Sequence, residues 1–128
     1  PCDISLSVLA TVVSKNDKYY IIDAGSKVLS SDSGAHGSSM MSGYGIAYPL
    51  DNFNERLHGY KIVKLSEEHG FIEIPPGNVG WTTLHIGSKV RIVPNHSCVV
   101  ANLSNNLTMV RDDSVVDIWN VDARGAVL

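Results

Sequence analysis

His96 and Cys98 stand two positions apart in the run Pro94-Asn95-His96-Ser97-Cys98, and their types and spacing are the clearest chemical signal in the chain. Imidazole nitrogen beside thiolate sulfur is a donor pair suited to zinc. On an extended backbone successive side chains alternate faces, so residues two apart point the same way. On a helix the same two side chains would splay by roughly 200°. The residues that follow, Cys98 to Leu103, are rich in β-branched side chains and read as a strand, which would put both donors on one face. The competing reading is a packed, metal-free pair, because buried free cysteine commonly behaves as a small hydrophobe.

Other histidines rank lower. His69 closes the segment Lys64 to Gly70, KLSEEHG, where it would serve as a third ligand, an outer-shell hydrogen-bond partner, or simply a turn residue beside Glu67 and Glu68. His36 lies in a loop, and His58 and His85 have no evident partner, so surface or packing roles suffice for them. Tyr44, between Gly43 and Gly45, would wall a pocket or pack in the core.

The elements that must position these groups are mostly strands. Leu6 to Val13 and Tyr19 to Asp23 are β-rich runs joined by a polar connection of hairpin length. Tyr60 to Leu65 and Phe71 to Ile74 largely alternate polar with apolar, with a turn between them. Lys89 to Val93 and Cys98 to Leu103 follow, then Leu107 to Arg111 and Val115 to Trp119 as a last pair. No window of a dozen residues has helical spacing with caps, apart from short turns near Thr82 to Leu84. The expectation is an all-β fold, a small closed or partly open barrel or a sandwich, because many short strands must hide their edges. Ser30 to Gly45, SSDSGAHGSSMMSGYG, has no apolar alternation and reads as a long irregular loop.

Composition limits the function classes. At 128 residues, 44% hydrophobic and 18% charged, the chain reads as one folded domain spanning 1–128. A net charge of −3 with scattered lysines and arginines offers no basic stripe, which argues against nucleic acid as a partner. No apolar stretch has membrane-spanning length and no signal-peptide pattern opens the chain, so no membrane partner is expected. Cys2 and Cys98 make no disulfide framework, and a reducing, cytoplasmic location is the simplest expectation. The chain starts at Pro1 and runs quickly into an apolar segment, which reads as a piece of something longer.

Four separate segments carry a family resemblance: DAGSKVLSSD at Asp23 to Asp32, KLSEEHG at Lys64 to Gly70, VRIVPNHSCVVANL at Val90 to Leu103, and VVDIWNVDARG at Val115 to Gly125. In this order they resemble the C-terminal domain of the D-serine dehydratase and D-threonine aldolase family, of the alanine-racemase-like fold type. The resemblance implies an N-terminal α/β barrel, absent from this chain, that binds pyridoxal phosphate, and a homodimeric parent. It implies that the divalent metal is held by His96 and Cys98, and that Ser30, Ser31 and Asp32 border the cleft facing the barrel or a partner subunit. Lys27 is not the implied Schiff-base lysine, which belongs to the barrel; a salt bridge or loop hydrogen bond is its expected use. Asn102 and Arg124 are expected to make structural hydrogen bonds only. The segments 33–41 and 50–57 depart from the family's pattern, which leaves the substrate open among D-serine, D-threonine and related D-β-hydroxy amino acids.

Cysteine in the second ligand position points to zinc, whereas a carboxylate there would suit magnesium or manganese. By resemblance that favours the dehydratase branch, which eliminates the β-hydroxyl to give keto acid and ammonia, over the aldolase branch, which breaks the Cα–Cβ bond. The fragment alone would have no turnover, since the carbanion-stabilising cofactor is bound elsewhere. A different class remains beside these: a non-catalytic β domain used for protein association. A racemase would leave His96 and Cys98 unexplained.

Overall fold

The computed structural model describes residues 4–34, 42–50, 59–77 and 83–126. Among these residues the strands and helices follow in the order β1 (Val8–Lys15), β2 (Tyr19–Ile22), α1 (Ser26–Leu29), β3 (Ile46–Pro49), β4 (Tyr60–Leu65), β5 (Gly70–Glu73), β6 (Lys89–Val93), α2 (Ser97–Leu103), β7 (Asn106–Arg111) and β8 (Ser114–Asn120). Six of the strands close a barrel in the order β1-β2-β5-β4-β3-β6, every neighbouring pair antiparallel. The all-β expectation therefore takes the form of a closed barrel, with α1 and α2 as small additions.

Alternation along each strand builds the core. Val12, Tyr20, Ile22, Ala47, Tyr60, Ile62, Ile72, Val90 and Ile92 point inward and are almost wholly buried. Register sets them against one another, as in Ile62 opposite Ile72, Ala47 opposite Ile92 and Tyr20 opposite Ile72. The rings of Tyr20 and Tyr60 meet edge to face at 6.0 Å across the interior, a favoured aromatic geometry. Bulges at Val12/Ser14 and Ile62/Lys64 supply the local bend that a small barrel needs.

The strand expected over Cys98 to Leu103 is instead the helix α2. β6 already pairs with β1 on one side and β3 on the other, so the barrel has no free edge for a further strand. Pro94, immediately after β6, has no N–H to continue a ladder. The segment buries Val100 and packs α2 against α1, whose Leu29 is also buried.

Among the described residues β7 and β8 pair only with each other, as a sheet separate from the barrel. Val110, Val115, Val116, Ile118 and Trp119 on this hairpin are all more than half exposed. Asn102 Oδ1 accepts the Gly125 N–H at 2.7 Å and Arg124 donates to Asn105 Oδ1, so both residues have the structural bonding expected of them. No helix among the described residues is long and apolar enough to cross a membrane.

Candidate metal centre

His96 and Cys98 are brought together, though not by the geometry the sequence implies. His96 is the N-cap of α2 with an extended backbone (φ −142°, ψ 103°), while Cys98 lies inside the first helical turn. One extended residue is enough to turn the imidazole over the helix start. Nε2 comes to 3.2 Å from Cys98 Sγ. The requirement for an extended segment thus holds for the histidine and fails for the cysteine. Cys98 is an exposed free thiol, and His96 is half-buried beside it.

The other ring nitrogen, Nδ1, meets Asp32 Oδ2 at 3.1 Å. Asp32 reaches this point from the segment after α1, 64 positions away in sequence. Its N–H donates to Ser30 Oγ at 3.2 Å, and its carbonyl accepts from Asn95 Nδ2 at 3.0 Å. The same Asn95 amide donates to the Gly43 carbonyl at 2.7 Å, which also accepts from the Gly34 N–H at 3.0 Å. Asn95 therefore ties the segment entering the site from α1 to the one leaving toward β3. Gly43 has φ +101°, and a Cβ there would lie 2.6 Å from the Ile62 carbonyl oxygen, so glycine is required.

Ser30 follows α1 at φ 64° and ψ 177°, a region that non-glycine residues occupy at a cost of about 1–3 kcal/mol. It is buried, and this conformation directs the chain from α1 toward Asp32. Ser31 is exposed. Tyr44 packs against the barrel core, and its N–H donates to the Ile62 carbonyl at 2.8 Å.

α1 is placed by the β4–β5 turn. The N–H groups of Ser26 and Lys27 donate to the carbonyls of Ser66 and Glu67 at 2.9 and 3.2 Å. Gly25 is needed at this junction, because a Cβ would fall 2.3 Å from the Glu67 carbonyl oxygen. Lys27 Nζ lies 2.5 Å from Glu68 Oε1 and 3.2 Å from Glu67 Oε2, the salt bridge expected of it. The hydrogen bond to Glu68 is the main influence raising the Lys27 pKa, with Glu67 next, and the same bond to Lys27 lowers that of Glu68.

His69 is exposed in that turn, where its N–H donates to Ser66 Oγ at 3.1 Å. His85 is exposed in the turn before β6, its N–H on Ser88 Oγ at 2.9 Å. His36, His58 and Cys2 lie outside the described residues, as do most of the segments 33–41 and 50–57 and the start of the turn near Thr82. Among the described residues no group of three or more His, Cys, Asp and Glu side chains is arranged to hold a metal. An open depression of about 450 Å³ lined by Lys15, Asn16, Asp17, Tyr20 and Ile74 contains none of the residues singled out from sequence.

The donor set fits a divalent metal of borderline softness: one imidazole nitrogen, one sulfur, and a carboxylate on the far ring nitrogen. Sequence reasoning named Asp32 as a cleft residue and missed Asn95. The signal for Asn95 was its place next to His96 in Pro94-Asn95-His96.

Residues 5–110 match the family described as "Putative serine dehydratase domain". An uncharacterized protein of Mycobacterium tuberculosis is 34% identical over 98% of this chain and 87% of its own length. The D-threonine aldolase of Arthrobacter sp. is 34% identical over 94% of this chain but only 27% of its own, and the D-serine dehydratase of Dictyostelium discoideum 33% over 89% and 29%. Among solved structures, a D-threo-3-hydroxyaspartate dehydratase with one cysteine changed to alanine, in its metal-free form, superposes with a TM-score of 0.75 at 27% identity, covering 91% of this chain and 31% of that one. A histidine-to-alanine variant of a dehydratase of that name gives 0.75 at 26%, covering 93% and 31%. The cysteine and histidine replaced in those two variants are two positions apart. With most of its length matched in sequence and its barrel shared with these structures, the chain belongs to the serine dehydratase domain family.

Proposed function

We propose that this chain is the metal-binding β domain of a D-amino-acid lyase of the dehydratase type, holding zinc between His96 and Cys98 and working against a pyridoxal-phosphate-bearing α/β barrel. The observation that carries the reading is the approach of His96 Nε2 to Cys98 Sγ at 3.2 Å, with Asp32 on the opposite ring nitrogen at 3.1 Å. The His-x-Cys spacing of the residues replaced in the dehydratase variants, one of them in a metal-free form, supports it.

With two protein ligands the site would keep room for water or substrate, as a catalytic zinc does and a closed structural zinc does not. Bound there, zinc would supply Lewis acidity toward a substrate β-hydroxyl, and pyridoxal phosphate in the barrel would supply an electron sink. His96 and Cys98 present nitrogen and sulfur toward one point. Asp32 and Asn95 hold the histidine side of that point. Lys27 is committed to Glu67 and Glu68, which leaves the imine-forming lysine to the barrel. The substrate class is a D-β-hydroxy amino acid, the cellular setting the reducing cytoplasm, and the assembled enzyme a homodimer. An aldolase-type cleavage is the nearest variant, favoured by the identity to the Arthrobacter aldolase.

A second reading rests on a different observation. The mycobacterial relative is matched over 87% of its length, so a protein of this kind exists at little more than the size of this domain. Together with the exposed apolar hairpin β7–β8, that favours an association module. The test is to assay the full natural protein, supplied with pyridoxal phosphate, for keto acid from D-serine and for glycine from D-threonine, with Cys98→Ala alongside. Keto acid formation lost in the variant supports the dehydratase. Glycine formation assigns the aldolase, and no turnover of either substrate by the folded protein favours the association module.

A further inference from the structure

We infer that Asp32 is the positioning residue of this centre: it holds the imidazole proton of His96 on Nδ1 and thereby commits Nε2, the nitrogen facing Cys98, to metal ligation. The inference rests on the zinc reading and adds the residue that decides how well the histidine serves it.

A carboxylate oxygen accepts hydrogen bonds, so the Asp32 Oδ2 contact at 3.1 Å favours the tautomer with the proton on Nδ1. In the neutral ring Nε2 then carries the lone pair. That lone pair faces Cys98 Sγ at 3.2 Å, so Nε2 and Sγ are the two atoms that would hold a metal. The carboxylate and the imidazole are each about one-third exposed, at 34% and 37%, so the contact is sheltered without being sealed. Asp32 does not depend on His96 for its own place. Ser30 Oγ takes its N–H and Asn95 takes its carbonyl, so the backbone of Asp32 is fixed at both ends. Because Asn95 is also the residue before His96, the carboxylate and the imidazole are referenced to the same stretch of backbone. A carboxylate on the far nitrogen of a ligating histidine orients the ring and raises its basicity, and loss of such a partner typically costs about 10–100-fold in metal affinity.

The test is nitrogen-15 NMR of the His96 ring in wild type, Asp32→Ala and Asp32→Asn, with zinc affinity measured on the same samples and thermal melting as the fold control. Asn keeps an acceptor oxygen, so it separates hydrogen bonding from charge. The expected result is an Nδ1–H ring in wild type and Asp32→Asn, the Nε2–H form in Asp32→Ala, and zinc binding weakened about 10–100-fold in Asp32→Ala with unchanged melting. A neutral wild-type ring protonated on Nε2, or an Asp32→Ala ring unchanged from wild type, overturns the inference. Absence of zinc binding together with the tautomer switch would refute the metal reading and leave the positioning role standing. Zinc binding with no switch would do the reverse.

Discussion

His96 Nε2 lies 3.2 Å from Cys98 Sγ although the two residues differ in backbone conformation, the histidine extended and the cysteine helical. The contact depends on the boundary between them: the helix must begin at Ser97 and not one residue earlier. Pro94 and the closed barrel edge set that boundary from one side, and the packing of α2 on α1 sets it from the other.

The soft donor in this pair sets metal preference. Replacing Cys98 by Asp exchanges sulfur for carboxylate oxygen, which suits magnesium and manganese. Competition binding should show the zinc-over-manganese preference of Cys98→Asp reduced by roughly tenfold or more relative to wild type. An unchanged ratio would mean that Cys98 is not a ligand.

Gly25 governs where α1 sits, and through Ser30 and Asp32 where the centre sits. A Cβ at this position would be 2.3 Å from the Glu67 carbonyl oxygen, with the Ser66 carbonyl oxygen at 2.5 Å, and backbone cannot yield as a side chain can. Gly25→Ala should cost about 1–3 kcal/mol in denaturant unfolding, the range of overpacking substitutions. It should also disturb the His96 ring signals although it lies outside the centre. Retention of both stability and spectrum would contradict the close approach.

The Tyr20 hydroxyl is buried without a hydrogen-bond partner among the described residues. A buried polar group in that state costs about 1–3 kcal/mol relative to a satisfied one. Tyr20→Phe should therefore leave stability unchanged or raise it by about 1 kcal/mol, read from the urea midpoint. A loss of stability would mean that the hydroxyl is satisfied. Its neighbour Tyr60 is pushed up from 10.0 to about 12, first by burial and then by Tyr20. A raised phenol stabilises the fold fully below the unfolded value and loses that contribution as pH climbs from 10 to 12. Ultraviolet titration should show one tyrosine ionising late, together with alkaline unfolding.

Lys27 and Glu68 shift in opposite directions. The raised lysine contributes below its unfolded value and loses its effect as pH rises past 10.5, while the lowered glutamate contributes above 4.5 and loses its effect as pH falls further. Lys27→Met should therefore lower the melting temperature modestly between these limits, more at low than at high ionic strength, because the pair is exposed. A difference that persists unchanged at pH 3 would assign the effect to packing of the lysine stem.

The barrel was legible where alternation was strong and long enough. Tyr60 to Leu65 and Lys89 to Val93 have the same bounds in sequence and structure. β3 gives little strand signal because it has four residues, follows a glycine-rich run and ends at Pro49. α1 is equally short and has no side-chain cap. The α2 segment has the sequence of a strand because Val99 and Val100 carry β propensity, and only the closure of the barrel, a long-range property, removes the edge it would join. In the centre, the His-x-Cys spacing was visible, whereas the Asp32 contact spans 64 positions and depends on the unusual backbone of Ser30.

The central claim is that His96 and Cys98 hold a metal together. Calorimetric titration of the reduced protein with zinc, run beside His96→Ala and Cys98→Ala, tests it most directly. One zinc per chain, weakened by roughly 100-fold or more in each variant, is the predicted result. Zinc binding that is absent in wild type, or indifferent to both substitutions, would contradict it.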